Sequence, residues 1–182
     1  MIVVNAHRVN NGEEPLLNDN DNDFFFVHRD DPMQLPNTIA DLCVRRLPQY
    51  YGLDGITQIQ VLTPTRKSLI GVQNLNTILQ SCLNPPSPDK REYITRRCIF
   101  RVGDKVMQIK NNYDIFWERD GKTNEAGSGV FNGEFGTIID INEMDKEIVI
   151  KFDDDKKAWY SYADLDQIEH AYAITVHKAQ RK

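Results

Sequence analysis

No apolar run in this sequence approaches the roughly 20 residues that a bilayer-spanning helix requires, so a membrane partner is not expected. The opening Met1-Ile2-Val3-Val4-Asn5 lacks a basic segment running into a long apolar one, which argues against a secretory signal. Cysteine is scarce. Cys43, Cys82 and Cys98 are odd in number, far apart and without CxxC spacing, so they read as buried free thiols of a reducing, cytoplasmic protein. The four histidines (His7, His28, His170, His177) show no metal-ligand spacing, and no metal is expected. No Ser/His/Asp or Cys/His pairing stands out, so the chain by itself shows no catalytic centre. Gly121-Lys122-Thr123 looks like the tail of a phosphate-binding P-loop, but that pattern needs glycine at position 116, which is Phe116. Asp153-Asp154-Asp155, between two strand-like runs, reads as a hairpin turn and not as a cation site.

Positive charge is also in deficit. With 22 Lys and Arg against 27 Asp and Glu, the net charge is −5, which speaks against a generic nucleic-acid coat protein. A local basic track is nevertheless present: Lys90, Arg91, Arg96, Arg97, Arg101, Lys105 and Lys110, with only Glu92 and Asp104 against them. Local sign matters more than the total when phosphates are the partner.

The chain can be read in order. Residues 2 to 10 have loosely helical apolar spacing and stop at Asn11-Gly12. Phe24 to Val27 is a compact apolar run expected to form a buried strand. Asn37 or Thr38 is expected to cap a helix reaching about Tyr51, with Pro48 straining its last turn. Ile56 to Leu62 alternates and is β-branched, as a strand does. A helix is expected from about Ser68 to Leu83, and Asn84-Pro85-Pro86-Ser87-Pro88 is the best domain boundary. Strands are expected at 92–101, 105–110, 134–142, 147–153 and 156–161, close enough together to suggest a small barrel. Residues 118 to 129 read as a polar, glycine-rich loop. The chain then returns to an α/β pattern, with a strand at 171–174.

Chemistry concentrates at two strand ends. Thr63-Pro64-Thr65-Arg66-Lys67 follows one strand, and Thr175-Val176-His177-Lys178 follows the other, with Thr175 a good N-cap. In an open parallel sheet, ligands bind beyond the carboxyl ends of strands, and hydroxyls and cations there suit phosphate contacts. The bland alternative at each corner is a threonine cap flanked by solvated cations.

Six ordered blocks then resemble a known family: Asn5 through Gly12, Val61 through Lys67, Gly103 through Gln108, Asn111 through Asp114, Gly129 through Gly136, and Ala171 through Gln180. Their order is similar to that in RecD/TraA-type superfamily 1 DNA helicases, often labelled exodeoxyribonuclease V alpha subunit. The match is to the C-terminal portion of such enzymes.

The resemblance implies an α/β fold: the second RecA-like motor domain, from residues 1–92 and 164–182, with an SH3-like β-barrel inserted at 96–163. It also implies that Thr63, Thr65, Arg66, Thr175, His177 and Lys178 lie on the single-stranded DNA path, and that Gln180 couples to the nucleotide. ATP and Mg would serve the parent motor, which would be a DNA helicase and ATPase, while this stretch alone would bind neither and be inactive. The partners implied are single-stranded DNA and the first RecA-like domain of the same parent. Two departures stand out: Ser68 sits where glycine is common, and Arg181-Lys182 replace the usual Gly-Ser-Glu. A different class of reading is a non-catalytic adaptor that docks a protein on the SH3-like insert; a further one uses the 90–110 basic track as a duplex contact.

Overall fold

The computed structural model describes residues 1–17, 23–119 and 125–180, which divide into two units, 1–35 and 36–182. The first unit begins with helix α1 (Ile2–Asn10), as the periodicity predicts, and Gly12 takes the left-handed backbone (φ 79°) that ends it. Asn5 is buried: its side chain accepts from Leu16 N at 2.8 Å and donates to Leu16 O at 3.0 Å, folding the following segment back on the helix. Phe24 to Val27 forms no strand, which corrects the sequence reading. Phe25 and Phe26 are about half exposed. Asp31 caps the short 3-10 turn Pro32–Gln34 through Met33 N.

In the second unit, α2 (Leu35–Asp41) passes through a π-helical stretch, Leu42–Arg46, into α3 (Leu47–Tyr51). Neither Asn37 nor Thr38 caps it, since the helix has already begun at Leu35. The wider π-turn lies just before Pro48, whose missing N–H and bulky ring would break a regular α-helix there. Gly52, in the left-handed region, closes it by donating to Pro48 O. The expected strand at 56–62 shrinks to β1 (Val61–Thr63). Asp54 captures the residues before it, accepting from Ile56 N, Thr57 N and the Thr57 hydroxyl, and this local side-chain turn outcompetes the ladder. Helix α4 (Val72–Leu83) buries Leu75 and Leu79 against Cys43, Tyr172 and Ala173.

Beyond the proline-rich break the chain is almost entirely β. The hairpin of β2 (Glu92–Ile94) and β3 (Ile99–Arg101) is followed by β4 (Lys105–Gln108), β5 (Asn112–Arg119), β6 (Ala126–Val130), β7 (Phe135–Asn142), β8 (Glu147–Phe152) and β9 (Lys156–Ser161). After the 3-10 turn Tyr162–Gln167 come β10 (Ile168–His170), β11 (Ala173–Thr175) and the short helix α5 (Val176–Ala179). Strands β10, β4, β7, β8, β9, β5 and β6 form one antiparallel sheet in that order, with β10 and β6 at its edges. Alternation fills its core, with Ile148, Ile150 and Phe152 from β8 meeting Ala158 and Tyr160 from β9, and a register shift between Ile138 and Asp140 puts both Ile138 and Ile141 of β7 there as well. The Asp153–Asp155 turn joins β8 to β9 as expected, with Asp155 at φ 66°.

Residues 118, 119 and 125–129, expected in a loop, largely belong to a hairpin instead. Trp117 pairs with Gly127 and Glu118 with Ala126. A side chain at Gly127 would sit 2.7 Å from the Trp117 ring, so glycine is what lets the indole lie across β6. The Gly121-Lys122-Thr123 tripeptide lies outside the described residues. Cys43 is buried, and burial pushes its thiol up to about 11; Cys82, however, is exposed and Cys98 half-buried, so the expectation of three buried thiols holds for one.

The helical layer and the antiparallel sheet are joined through one carboxylate. Asp104, fully buried, accepts from Gln80 Nε2 (2.7 Å) of α4 and Asn84 Nδ2 (2.8 Å) just after it, from Arg101 N (2.7 Å), and from the Tyr172 hydroxyl (2.9 Å). His170 Nε2 lies 3.0 Å away. Burial pushes the Asp104 carboxyl upward, but the hydrogen bond and charge of His170, with the bonds from Asn84 and Tyr172, outweigh it and hold the group below its ordinary value.

Replacing Asp104 with Asn leaves buried donors facing a donor, and should cost about 3–5 kcal/mol in urea unfolding at neutral pH. Because the folded-state pKa is depressed, the stability from the ionised carboxylate is present above the unfolded value, about 3.9, and is lost as pH falls through the folded one. The gap between wild type and Asp104→Asn should therefore be widest above about pH 5 and narrow in acid.

Candidate nucleic-acid interface

Strands β1 and β11 pair in parallel, in the register Val61 with Ala173, Leu62 with Ile174, and Thr63 with Thr175. The local sequence explains it. Val61, Leu62 and Ile174 favour extended backbone, and the small Ala171 and Ala173 let the chain pack close to α4. From α4, the buried Asn76 accepts from Ala173 N (2.8 Å) and donates to the carbonyls of His170 and Ala173 (3.0 Å each), standing in for a further strand. The two predicted corners therefore leave the same edge of one small sheet, side by side.

The individual residues divide into two roles. Thr63 is buried, and its hydroxyl donates to Ile70 O at 2.7 Å, tying the loop 64–71. The same loop covers the start of α4, where Val72 N donates to Thr65 O (3.1 Å) and Gln73 N to Arg66 O (3.3 Å). A Cβ on Gly71 would fall 2.7 Å from Arg66 O and from Ser68 N, so this tight cover requires glycine. Those helix amides are consequently spoken for by the chain itself. Thr65 is exposed, its hydroxyl 2.8 Å from that of Ser68.

At the second corner Thr175 caps α5 as expected, accepting from Lys178 N at 3.3 Å. His177 and Gln180 are exposed, and Lys178 is half-buried. Arg66 and Lys178, one from each corner, converge on a single acid that the sequence reading did not single out. Arg66 Nη2 lies 2.9 Å from Glu169 Oε1, and Lys178 Nζ lies 3.2 Å from Glu169 Oε2. Burial pushes Glu169 upward, yet the charges of Lys178 and Arg66 prevail and hold it below the ordinary carboxylate range. Only spatial neighbourhood reveals these partners: Arg66 and Glu169 are 103 positions apart.

The 90–110 basic track does not form a continuous face. Arg101 and Lys105 are buried, bonded to Glu92 (2.5 Å) and to Ile59 O (3.0 Å), while Arg91 holds Asp140 and Lys110 holds Asp166. Among the aromatics on and around β5 and β6, Tyr113, Phe116 and Phe131 are all substantially exposed. Tyr113 and Phe131 meet edge-on at 5.6 Å, and Trp117 lies beneath Arg119 and Lys156. Among the described residues no group of three or more His, Cys, Asp or Glu could hold a metal ion, and no helix is long and apolar enough to cross a membrane.

Comparison with known proteins adds an independent observation. Residues 75–152 match the family described as the SH3 domain of ATP-dependent RecD-like DNA helicases. Over 180 residues, 98% of this chain, the sequence is 30% identical to an ATP-dependent RecD2 DNA helicase of Deinococcus radiodurans, and spans 21% of that protein's length. It is also 32% identical over 137 residues to an uncharacterised protein of Methanocaldococcus jannaschii, covering 68% of this chain and 11% of that one. Among solved structures, unliganded Pif1 from Bacteroides overlaps 67% of this chain and 43% of its own at 13% identity, with a TM-score of 0.35. Bacteroides Pif1 bound to single-stranded DNA overlaps 84% and 41% at 14% identity and 0.36, a likeness too loose to carry weight.

The division of roles can be checked by thermal and urea unfolding. Thr63→Val strands the Ile70 carbonyl beside a methyl group and should cost about 1–3 kcal/mol. His177→Ala, at an exposed site, should leave the midpoint unchanged.

Proposed function

We propose that this chain, which belongs to the RecD-type superfamily 1 DNA helicases, is the part of a motor that grips single-stranded DNA while ATP is hydrolysed elsewhere in the parent protein. In this reading residues 1–92 and 164–182 contribute to a second RecA-like domain, and 96–163 are its SH3-like insert. The observation that carries it is the parallel register of Thr63 with Thr175, which brings two cation- and hydroxyl-bearing strand ends to one sheet edge. A strand laid along that edge would meet Thr65, Arg66, Thr175, His177 and Lys178. These groups suit phosphate oxygens and carry no base-reading geometry, as a sequence-tolerant motor requires. Thr63 supports the loop from beneath. Gln180, at the far end of α5, is where the grip would answer to nucleotide state.

ATP and Mg would belong to the first motor domain, since the 182 residues contain no complete P-loop pattern. What this chain's own residues do is hold phosphates. Translocation then follows if closing and opening around nucleotide changes the spacing between this grip and one on the first domain.

The test is fluorescence anisotropy of a labelled single-stranded oligonucleotide titrated with this chain at low and moderate salt. Binding should weaken steeply as salt rises, because each neutralised phosphate releases counterions. The Thr175→Ala/His177→Ala double variant should bind at least about tenfold more weakly while keeping its secondary structure. Salt-independent binding, or a double variant equal to wild type, would remove the grip from this edge.

A further inference from the structure

Glu169 does not belong to the layer whose cations it holds. It lies on β10, the edge strand of the antiparallel sheet, paired with Met107 of β4. Arg66 follows β1 and Lys178 lies in α5. Each carboxylate oxygen serves a different cation, Oε1 the guanidinium at 2.9 Å and Oε2 the ammonium at 3.2 Å. The acid is 30% exposed, Arg66 49% and Lys178 21%, so the cluster opens to solvent on the Arg66 side.

Building on the strand-grip reading, we propose that Glu169 occupies the seat of one backbone phosphate between Arg66 and Lys178, and that a strand is gripped at this point only by displacing it. A phosphodiester offers the same chemistry as the carboxylate: one negative charge shared by two oxygens, able to bridge a planar fork and a point charge. Exchange of one anion for the other keeps the cations compensated at every stage. Neither guanidinium nor ammonium has to stand uncompensated in a half-buried position between two phosphates. The displaced carboxylate stays nearby on β10 and competes for the cations again, which weakens the hold and speeds release. A stepping grip needs that reversibility more than it needs affinity. The neighbouring residue, His170, sits in the Asp104 cluster, so the position of the competing acid is fixed by the joint between the two layers.

The test compares wild type, Glu169→Gln and the triple variant Glu169→Gln/Arg66→Ala/Lys178→Ala by anisotropy on labelled oligothymidylate at two salt concentrations, with circular dichroism confirming the fold. Removing the competitor should tighten binding by about fivefold or more and steepen its salt dependence, and the triple variant should lose that gain. If wild type binds and Glu169→Gln binds no more tightly, the displaced-acid proposal fails while the grip itself stands. If neither chain binds DNA, the grip reading fails, and inorganic tripolyphosphate then decides the phosphate seat by itself. A rise in unfolding temperature of Glu169→Gln that wild type does not share supports the seat, and equal responses overturn it. Should Glu169→Gln not fold, Glu169→Asp, one methylene short of spanning both cations, takes its place in every comparison.

Discussion

A buried carboxylate with five polar neighbours is an expensive thing to place inside a protein, and the arrangement of this chain follows from how Asp104 is satisfied. Its donors come from α4, from the turn that starts β4, and from the segment joining β10 to β11. No one of these pieces can satisfy it alone. An ion in a low-dielectric interior is tolerable only with its full complement of partners, so the helical layer and the antiparallel sheet must meet in one relative position. Arg101 extends the same economy: its guanidinium bonds Glu92 and the Asn84 carbonyl, and Lys90 reaches Asn84 Oδ1 at 2.6 Å. Two cations of what read as a basic face in the sequence, Lys90 and Arg101, are committed to this joint, and Arg91, Lys105 and Lys110 are bonded elsewhere.

That commitment explains which features were legible beforehand. Where one short-range rule decides the outcome, the residues announce it. Alternation in β7, β8 and β9, the aspartate turn at 153–155, α1, and Thr175 as a cap all emerge much as their local patterns imply. Failures occur where a second rule competes. Ile56 to Gln60 carries a strand pattern, but Asp54 offers its backbone N–H groups a nearer partner. Phe24 to Val27 is apolar enough to be buried, yet it takes no strand backbone and leaves Phe25 and Phe26 about half exposed. β5 and β6 were hidden by their glycines and charges, although Gly127 turns out to be the space that Trp117 fills.

The candidate site shows the same division more sharply. Hydroxyls and cations at Thr63–Lys67 and Thr175–Lys178 could be marked from type and position. Their adjacency could not, because it depends on the parallel pairing of segments more than a hundred residues apart. Nor could their inequality: Thr63 and Thr65 are two positions apart, yet one hydroxyl is locked to Ile70 O and the other faces outward. Glu169 was least visible of all, since an acid beside a proposed phosphate-binding corner contradicts the simple expectation that such a corner should be purely basic.

The contradiction dissolves once charge is considered locally. A chain with a net charge of −5 is repelled by a polyanion at long range, so any affinity must come from a few cations presented at contact distance. Leaving those cations bare would favour persistent, indiscriminate attachment; on the proposed reading, pairing them with an internal acid would make contact conditional on displacement. The chain order supports this coupling. Glu169 and His170 end β10, only Ala171 and Tyr172 intervene, β11 then runs to Thr175, and α5 carries Lys178. Ten consecutive residues thus hold the acid, two partners of Asp104, one strand of the parallel pair, the capping threonine and one of the two cations paired with that acid. A shift of the antiparallel sheet against the helical layer cannot move the acid without also straining the buried joint one residue away, so the ion pairs of Glu169 with Arg66 and Lys178 are tied to the rigidity of the core.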